Sequence, residues 1–164
     1  IGHEETFSKD LTEREEVERE LVRLVDSVAW RLRKSKKKCR TISLKVRYSD
    51  FTTFSRSHTS SEPTWLSSVL LEEAKGLLDG VDLSPGVRLL GVSVTNLDKN
   101  FVEQLKFSEN PHSDRENTEG VVDLIRDRFG TASIGPASIL GSNGMRVKTK
   151  GEQQWGPDQD STIE

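Results

Sequence analysis

The sequence predicts an α+β fold in which two helices cover one face of a four-stranded antiparallel sheet. In two segments the apolar residues recur every three or four positions, as in helices, and in others they alternate with polar residues, as in strands. The predicted order is β-α-β-β-α-β over residues 1–97, which places both helices on the same side of the sheet. We expect a flexible tail to follow this domain.

The first helix is predicted over residues 12–34, after a short strand at residues 4–8. Thr12 and Glu15 have the spacing of a capping box, and the apolar residues that follow fall on one side of the helix. These apolar residues are Val17, Leu21, Leu24, Val28 and Leu32. The basic last turn suits the negative end of a helix dipole, and Lys36-Lys37-Lys38 after it is predicted to be a loop.

A β-hairpin is predicted next, with strands at residues 40–48 and 52–59 and a turn at Ser49-Asp50. In the first strand, apolar and polar residues alternate, so one face is predicted to be buried and the other open. The predicted inward residues are Ile42, Leu44 and Val46, and the predicted outward residues are Thr41, Ser43, Lys45 and Arg47.

The second helix is predicted to begin at Ser61-Glu62-Pro63 and to end near Gly80, before a last strand at residues 87–94. Beyond this domain the composition becomes polar, so residues 98–118 are predicted to be a linker. Residues 119–164 are predicted to be a tail with one short helix, at residues 120–129.

The composition favours a cytoplasmic protein with no membrane segment, which we expect to be a monomer. Charged residues make up 31% of the chain and the mean hydropathy is -0.60, and no apolar run approaches the roughly 20 residues that cross a bilayer. The single cysteine, Cys39, excludes an internal disulfide and a zinc site built on paired cysteines. Because the chain starts without methionine inside a predicted strand, we expect it to be a piece of a longer protein.

Basic residues are concentrated between Arg31 and His58, although the whole chain has a net charge of -3. This segment contains ten lysines and arginines and one acidic residue, Asp50, which gives it a net charge of +9. Such an excess is typical of a surface that neutralises phosphates and releases their counterions.

No catalytic arrangement is apparent in the sequence. His3, His58 and His112 do not have metal-ligand spacing, and no glycine-rich phosphate loop follows a predicted strand. Exposed aromatic residues are scarce on the predicted open face, which argues against base stacking as in an RNA recognition motif. Hydroxyl groups and cations are the donors that hold phosphate oxygens, so the pattern favours binding along a duplex backbone.

Three stretches of the chain resemble the little finger domain of bacterial Y-family DNA polymerases, in the DNA polymerase IV branch. These stretches are residues 1–7, residues 40–53 together with 55–57, and residues 88–93. Two tail segments, residues 127–130 and 151–157, resemble the C-terminal ends of actinobacterial members.

The resemblance implies translesion DNA synthesis, with the palm that uses Mg²⁺ for nucleotidyl transfer lying before this segment. It also implies a domain that holds double-stranded primer-template DNA in the major groove through phosphate contacts, without any cofactor of its own. The DNA contacts implied are Thr41, Ser43, Lys45, Ser55, Arg56, Ser57 and Arg88, with Arg40, Arg47 and His58 beside them. His58 stands where relatives often have arginine.

A clamp-binding peptide is a further implication of the resemblance, because polymerases of this branch are tethered to the replicative sliding clamp by a short motif. Gln104, Leu105 and Phe107 match that motif in part, and a glutamine with apolar anchors suits an extended peptide in a hydrophobic groove.

Two other functions fit the same sequence. A protein interaction module would use the sheet and tail to dock the clamp or other repair proteins, including in a catalytically dead paralogue. An RNA-binding domain of similar topology would prefer single-stranded RNA to duplex DNA.

Overall fold

The computed structural model describes residues 1–98, 113–141 and 144–145. Its main elements are β1 (Gly2–Leu11), α1 (Arg14–Lys34), β2 (Lys38–Tyr48), β3 (Thr53–Thr64), α2 (Ser67–Leu78), β4 (Val87–Asp98) and α3 (Ser113–Phe129). The first four strands form one antiparallel sheet in the order β1-β4-β2-β3. The predicted fold class is therefore confirmed. A short 3-10 helix and a two-residue strand pair follow α3.

The core lies between one face of the sheet and the two helices α1 and α2. Ile42, Leu44 and Val46 of β2 are at most 1% exposed and face the helices, as their alternation predicted. They meet the apolar side of α1 and the buried residues Leu70, Ala74 and Leu78 of α2, together with Leu90, Val92 and Val94 of β4. Burying each such leucine contributes roughly 1.5–3 kcal/mol, so this layer fixes which sheet face remains open.

The second helix begins later than the sequence predicted. Ser61, Glu62 and Pro63 continue β3 as far as Thr64, and α2 starts only at Ser67. The strand reaches this length because Thr64 pairs with Cys39 of β2. Proline is tolerated there because β3 is an edge strand, on which one side of the backbone needs no partner.

The first helix also differs at its start. It begins at Arg14 with Glu13 as its N-cap residue, and no side chain caps it. The capping box predicted from Thr12 and Glu15 is therefore not formed. Lys38, predicted to lie in a loop, is the first residue of β2 and is only 7% exposed.

The third helix begins at Ser113, seven residues before the predicted start at Gly120. The polar composition of residues 113–118 indicated a linker. However, Glu116 in this segment pairs with Lys38, and Glu119 just after it pairs with Arg33, so the helix start needs no apolar periodicity. In the described parts of the chain, none of the helices is both long enough and apolar enough to span a bilayer.

Candidate nucleic-acid interface

The sheet face opposite α1 and α2, which we call the open face, carries four rows of side chains. Residues paired across antiparallel strands lie on the same face, so the registers define each row. The rows are Thr59, Thr41 and Thr95; then Ser57, Ser43, Ser93 and Gly2; then Ser55, Lys45, Gly91 and Glu4; and finally Thr53, Arg47, Leu89 and Thr6. Nine of these fifteen residues are serine or threonine. The open face is thus dominated by hydroxyl groups.

One ion pair crosses this face. Lys45 Nζ lies 2.9 Å from Glu4 Oε2, although their strands are separated by β4. Gly91 lies between the two residues in the same row, and a Cβ atom at this position would come within 3.0 Å of the Glu4 Cβ. Because Gly91 has no side chain, the side chains of Lys45 and Glu4 can meet across β4. Both partners remain solvent-accessible, which makes Lys45 available for exchange with another anion.

The other predicted contacts on this face differ in availability. Ser55 and Ser57 are exposed and Ser43 is half-buried. Arg47 donates from Nε to the Thr53 hydroxyl at 2.8 Å. Thr41 is only 9% exposed, and its hydroxyl is bonded to Thr59 and accepts from the Asn96 amide. The Thr41 hydroxyl therefore contacts Thr59 and Asn96 and is little available to a ligand.

Arg56 and His58 lie on the opposite side of the sheet from these serines. Arg56 is paired with Leu44 and His58 with Ile42, two residues that face the helices. Arg56 donates to the Asp79 carbonyl at 3.0 Å, just beyond the end of α2, and its guanidinium lies over Phe54. The sequence placed Arg56 and His58 in one group with Ser55 and Ser57. The alternation of strand side chains separates the two pairs.

Arg40 and Arg88 lie at the two ends of the sheet. Arg40 donates to the carbonyl of Ser61 in β3. Arg88, at the start of β4, lies 3.8 Å from Asp10 and stacks on the exposed ring of Phe51 at the hairpin turn. Each arginine has contacts within the domain, and neither belongs to the four rows.

Several open-face hydroxyls were missed by the sequence reasoning. Thr6, Thr53, Thr59, Ser93 and Thr95 complete the rows begun by the predicted residues. Extending the alternation of β2 to β3 and β4 would have identified four of them, because paired residues share a face. Assigning Thr6 to the open face depends on the pairing of β1 with β4, which the local sequence does not reveal.

The basic run predicted between Arg31 and His58 is divided by the fold. Arg33, Lys34 and Lys38 pair with acidic residues of α3, away from the open face. Only Lys45 and Arg47 from this run lie in the four rows, together with the acidic Glu4. The open face therefore has a small positive charge and many hydroxyl donors, rather than the full excess of +9.

The other candidate functional sites of this chain are the clamp peptide, a metal site and the cysteine. Gln104, Leu105 and Phe107, the predicted clamp peptide, lie outside the described residues. Among the described residues, no three His, Cys, Asp or Glu side chains are grouped so that they could hold a metal ion. The Cys39 thiol is buried, and burial together with the charge of Glu73 raises its pKa to about 11, so it is a poor nucleophile.

Comparison with known proteins gives consistent matches. A family model described as the impB/mucB/samB family C-terminal domain matches residues 1–107. DNA polymerase IV of Streptomyces coelicolor is 48% identical over 97 residues, which are 59% of this chain and 20% of that protein. DNA polymerase IV of Desulfatibacillum aliphaticivorans is 33% identical over 144 residues, 85% of this chain and 36% of that protein.

A solved structure is also similar. It is a complex of the β-clamp processivity factor with the little finger domain of polymerase IV. The match has 27% sequence identity and a TM-score of 0.51, and it covers 66% of this chain and 97% of the matched chain.

The fold and its open face define a two-layer α+β domain with a polar, hydroxyl-rich sheet surface. The chain belongs to the impB/mucB/samB family, whose C-terminal domain it contains. The resemblance to the little finger of DNA polymerase IV is thereby confirmed. The chain spans between 20% and 36% of the length of these two relatives.

Proposed function

We propose that this chain is the DNA-binding little finger of a translesion DNA polymerase, and that it holds double-stranded primer-template DNA by its phosphates. The observation that carries the proposal is the open face, with nine hydroxyls in register around Lys45 and Arg47. Hydroxyls and cations contact phosphate oxygens without reading bases. Nucleotidyl transfer, with the Mg²⁺ it needs, is assigned by this proposal to other domains of a longer polymerase.

The proposal predicts binding that depends on salt and not on sequence. Affinity for two labelled duplexes of unrelated sequence should agree closely and fall steeply with added salt, because neutralised phosphates release their counterions. Lys45→Ala with Arg47→Ala should weaken binding to both duplexes by roughly tenfold and lower the salt slope by about 2. Fluorescence anisotropy over a salt series measures both quantities.

A matched control removes the same charge from the helix side of the sheet. Arg56→Ala with Lys75→Ala should leave the affinity close to that of the unchanged chain, because neither residue lies on the open face. Glu4→Gln should strengthen binding, since it releases Lys45 from its ion pair. Equal losses from the two alanine pairs would contradict the open face as the DNA surface.

We further propose the replicative sliding clamp as a protein partner. The structural neighbour was solved in complex with a β-clamp, and Gln104, Leu105 and Phe107 follow the domain directly in sequence. Docking of the clamp and contact with DNA then involve different parts of the chain. The two functions are compatible in one molecule.

A further inference from the structure

Helix α3 is attached to the domain mainly by its charges. Three of its apolar residues point outward, with Val121, Leu124 and Phe129 between 56% and 70% exposed, whereas Val122 and Ile125 are half-buried. The side chains that reach the domain are Glu116, Glu119, Asp123, Arg126 and Asp127. A helix buried through an apolar stripe would show the opposite arrangement. The contact therefore depends mainly on ion pairs.

The carboxylate of Glu119 occupies a defined position at the start of α2. It pairs with Arg33 of α1, and it accepts hydrogen bonds from the Ser67 backbone N–H at 2.9 Å and from the Ser67 hydroxyl. The N-cap residue of α2 is Leu66, which has no side-chain oxygen. Glu119 thus supplies from another helix the anion that the first turn of α2 lacks.

Two cations beside Trp65 are placed by the domain itself, Arg33, which pairs with Glu119, and Lys38, which pairs with Glu116 of the same helix. The side chains of Arg33 and Lys38 are each 9% exposed. Arg33 also donates to the Trp65 carbonyl at 3.3 Å, and Lys38 Nζ lies 4.6 Å from the centre of the Trp65 ring. We call the group of Arg33, Lys38 and Ser67 the corner site.

The charge of Arg33 is stabilised by the carboxylates around it. Burial on its own would lower the pKa of Arg33, but the hydrogen bond to Asp123 and the charges of Glu119, Asp123 and Asp26 outweigh it, so the pKa is raised. A buried cation stripped of its partners is strongly unfavourable. If the acidic side chains of α3 leave, another anion must replace them.

We propose that the corner site is a second phosphate-binding site for a nucleic-acid backbone, which α3 fills in cis with carboxylates. A guanidinium, an ammonium and the N–H and hydroxyl of a helix start bind phosphate as well as carboxylate. Lys38 begins β2, the strand whose later residues Ser43, Lys45 and Arg47 lie on the open face, so the site lies at the end of that strand and away from the open face itself. This inference rests on the proposed function, because it extends the same backbone contact.

The test compares two variants with the same change in net charge. In the first, Glu116→Gln, Glu119→Gln and Asp123→Asn neutralise the acids that face the corner site. In the control, Glu13→Gln, Glu15→Gln and Glu16→Gln neutralise three exposed acids at the start of α1. The first variant should bind a labelled 20-base-pair duplex roughly three- to tenfold more tightly than the control, with a salt slope steeper by about 2. Equal affinities would overturn the inference.

A second measurement uses the unchanged chain and does not depend on the folding of a variant. Titration with the duplex at low salt should shift the backbone amide signals of Ser67, Arg33 and Glu119, as phosphate replaces the carboxylate. Movement of Ser43 and Ser57 alone would support the proposed function and overturn the corner site. Movement of Ser67 and Glu119 alone would support the corner site and contradict DNA binding by the open face.

Discussion

Individual residues have their roles in this domain set by the side of the sheet on which they lie. Lys45 and Arg56 belong to neighbouring strands and have the same charge, yet one lies on the open face and the other caps carbonyls after α2. His3 shows the same effect on β1. It is paired with Val92, which faces the helices, and its Nδ1 atom is buried without a hydrogen-bond partner among the described residues. Two residues that are adjacent in a strand thus face opposite sides of the sheet, one toward solvent and the other toward the helices.

His3 predicts a pH dependence of stability. Burial, followed by the nearby charges of Arg31 and Arg23, lowers its pKa below the ordinary value of 6.5. The unfolded chain therefore takes up a proton that the folded chain resists, so stability falls as the pH drops below 6.5. Between about pH 7.5 and about pH 5.5, the melting temperature of the His3→Gln variant should fall less than that of the unchanged chain.

Thermal unfolding followed by circular dichroism measures this difference at the two pH values. His58→Gln is the matched control, because His58 is exposed on the edge strand and its replacement should leave the difference unchanged. An identical loss in the His3 variant and the unchanged chain would show that His3 carries no such linkage.

Strand β2 is the element on which both the core and the open face depend, since it is central in the sheet and pairs with both β3 and β4. Its inward residues contribute to stability, and its outward residues belong to the proposed binding surface. Leu44→Ala should lower the free energy of unfolding by roughly 2–5 kcal/mol, through lost burial and a cavity. Ser43→Ala should change it by less than about 0.5 kcal/mol but weaken DNA binding.

Urea denaturation and duplex anisotropy on the same two variants separate these effects. The unchanged chain sets the reference for both measurements. A large loss of stability from Ser43→Ala would mean that the open face contributes to the core, contrary to the register.

The elements differ in how well the sequence predicts them. The alternation of β2 and the apolar side of α1 are confirmed, because a residue that is buried in a regular element must be apolar at a regular spacing. The start of α2 and the start of α3 were predicted wrongly. The first was fixed by the pairing of Thr64 with Cys39 and the second by ion pairs across about ninety positions, as between Arg33 and Asp123. Such contacts leave no periodic pattern in the local sequence.

The described part of the chain combines a two-layer domain with a helix that is attached mainly by ion pairs. The sequence predicted the open-face residues of β2. It did not predict that Arg33, Lys34 and Lys38 pair with acidic residues of α3. The basic run looked like one surface because local charge does not reveal which cations have distant acidic partners. The division of the +9 segment is therefore a property of the tertiary fold alone.

The predicted clamp peptide can be tested by substitution. Gln104→Ala with Phe107→Ala should abolish or strongly reduce retention by immobilised sliding clamp, because the glutamine and the apolar anchor are both removed. Duplex affinity should be unchanged, since the four rows of the open face keep all their side chains in this variant. Pull-down and anisotropy on one preparation measure the two outcomes.

Lys45→Ala is the matched control for the clamp experiment, as it should lower duplex affinity and leave retention by the clamp intact. Undiminished retention of the Gln104 and Phe107 variant would show that this peptide is not the clamp contact.

The position of Pro63 near the end of β3 has a consequence for association between molecules. An exposed edge strand invites a second chain to extend the sheet through its vacant backbone groups. Pro63 has no N–H to offer, and Arg56 brings a charge to the same strand. The β3 edge of the sheet thus opposes the growth of continuous intermolecular sheets, even in a concentrated solution.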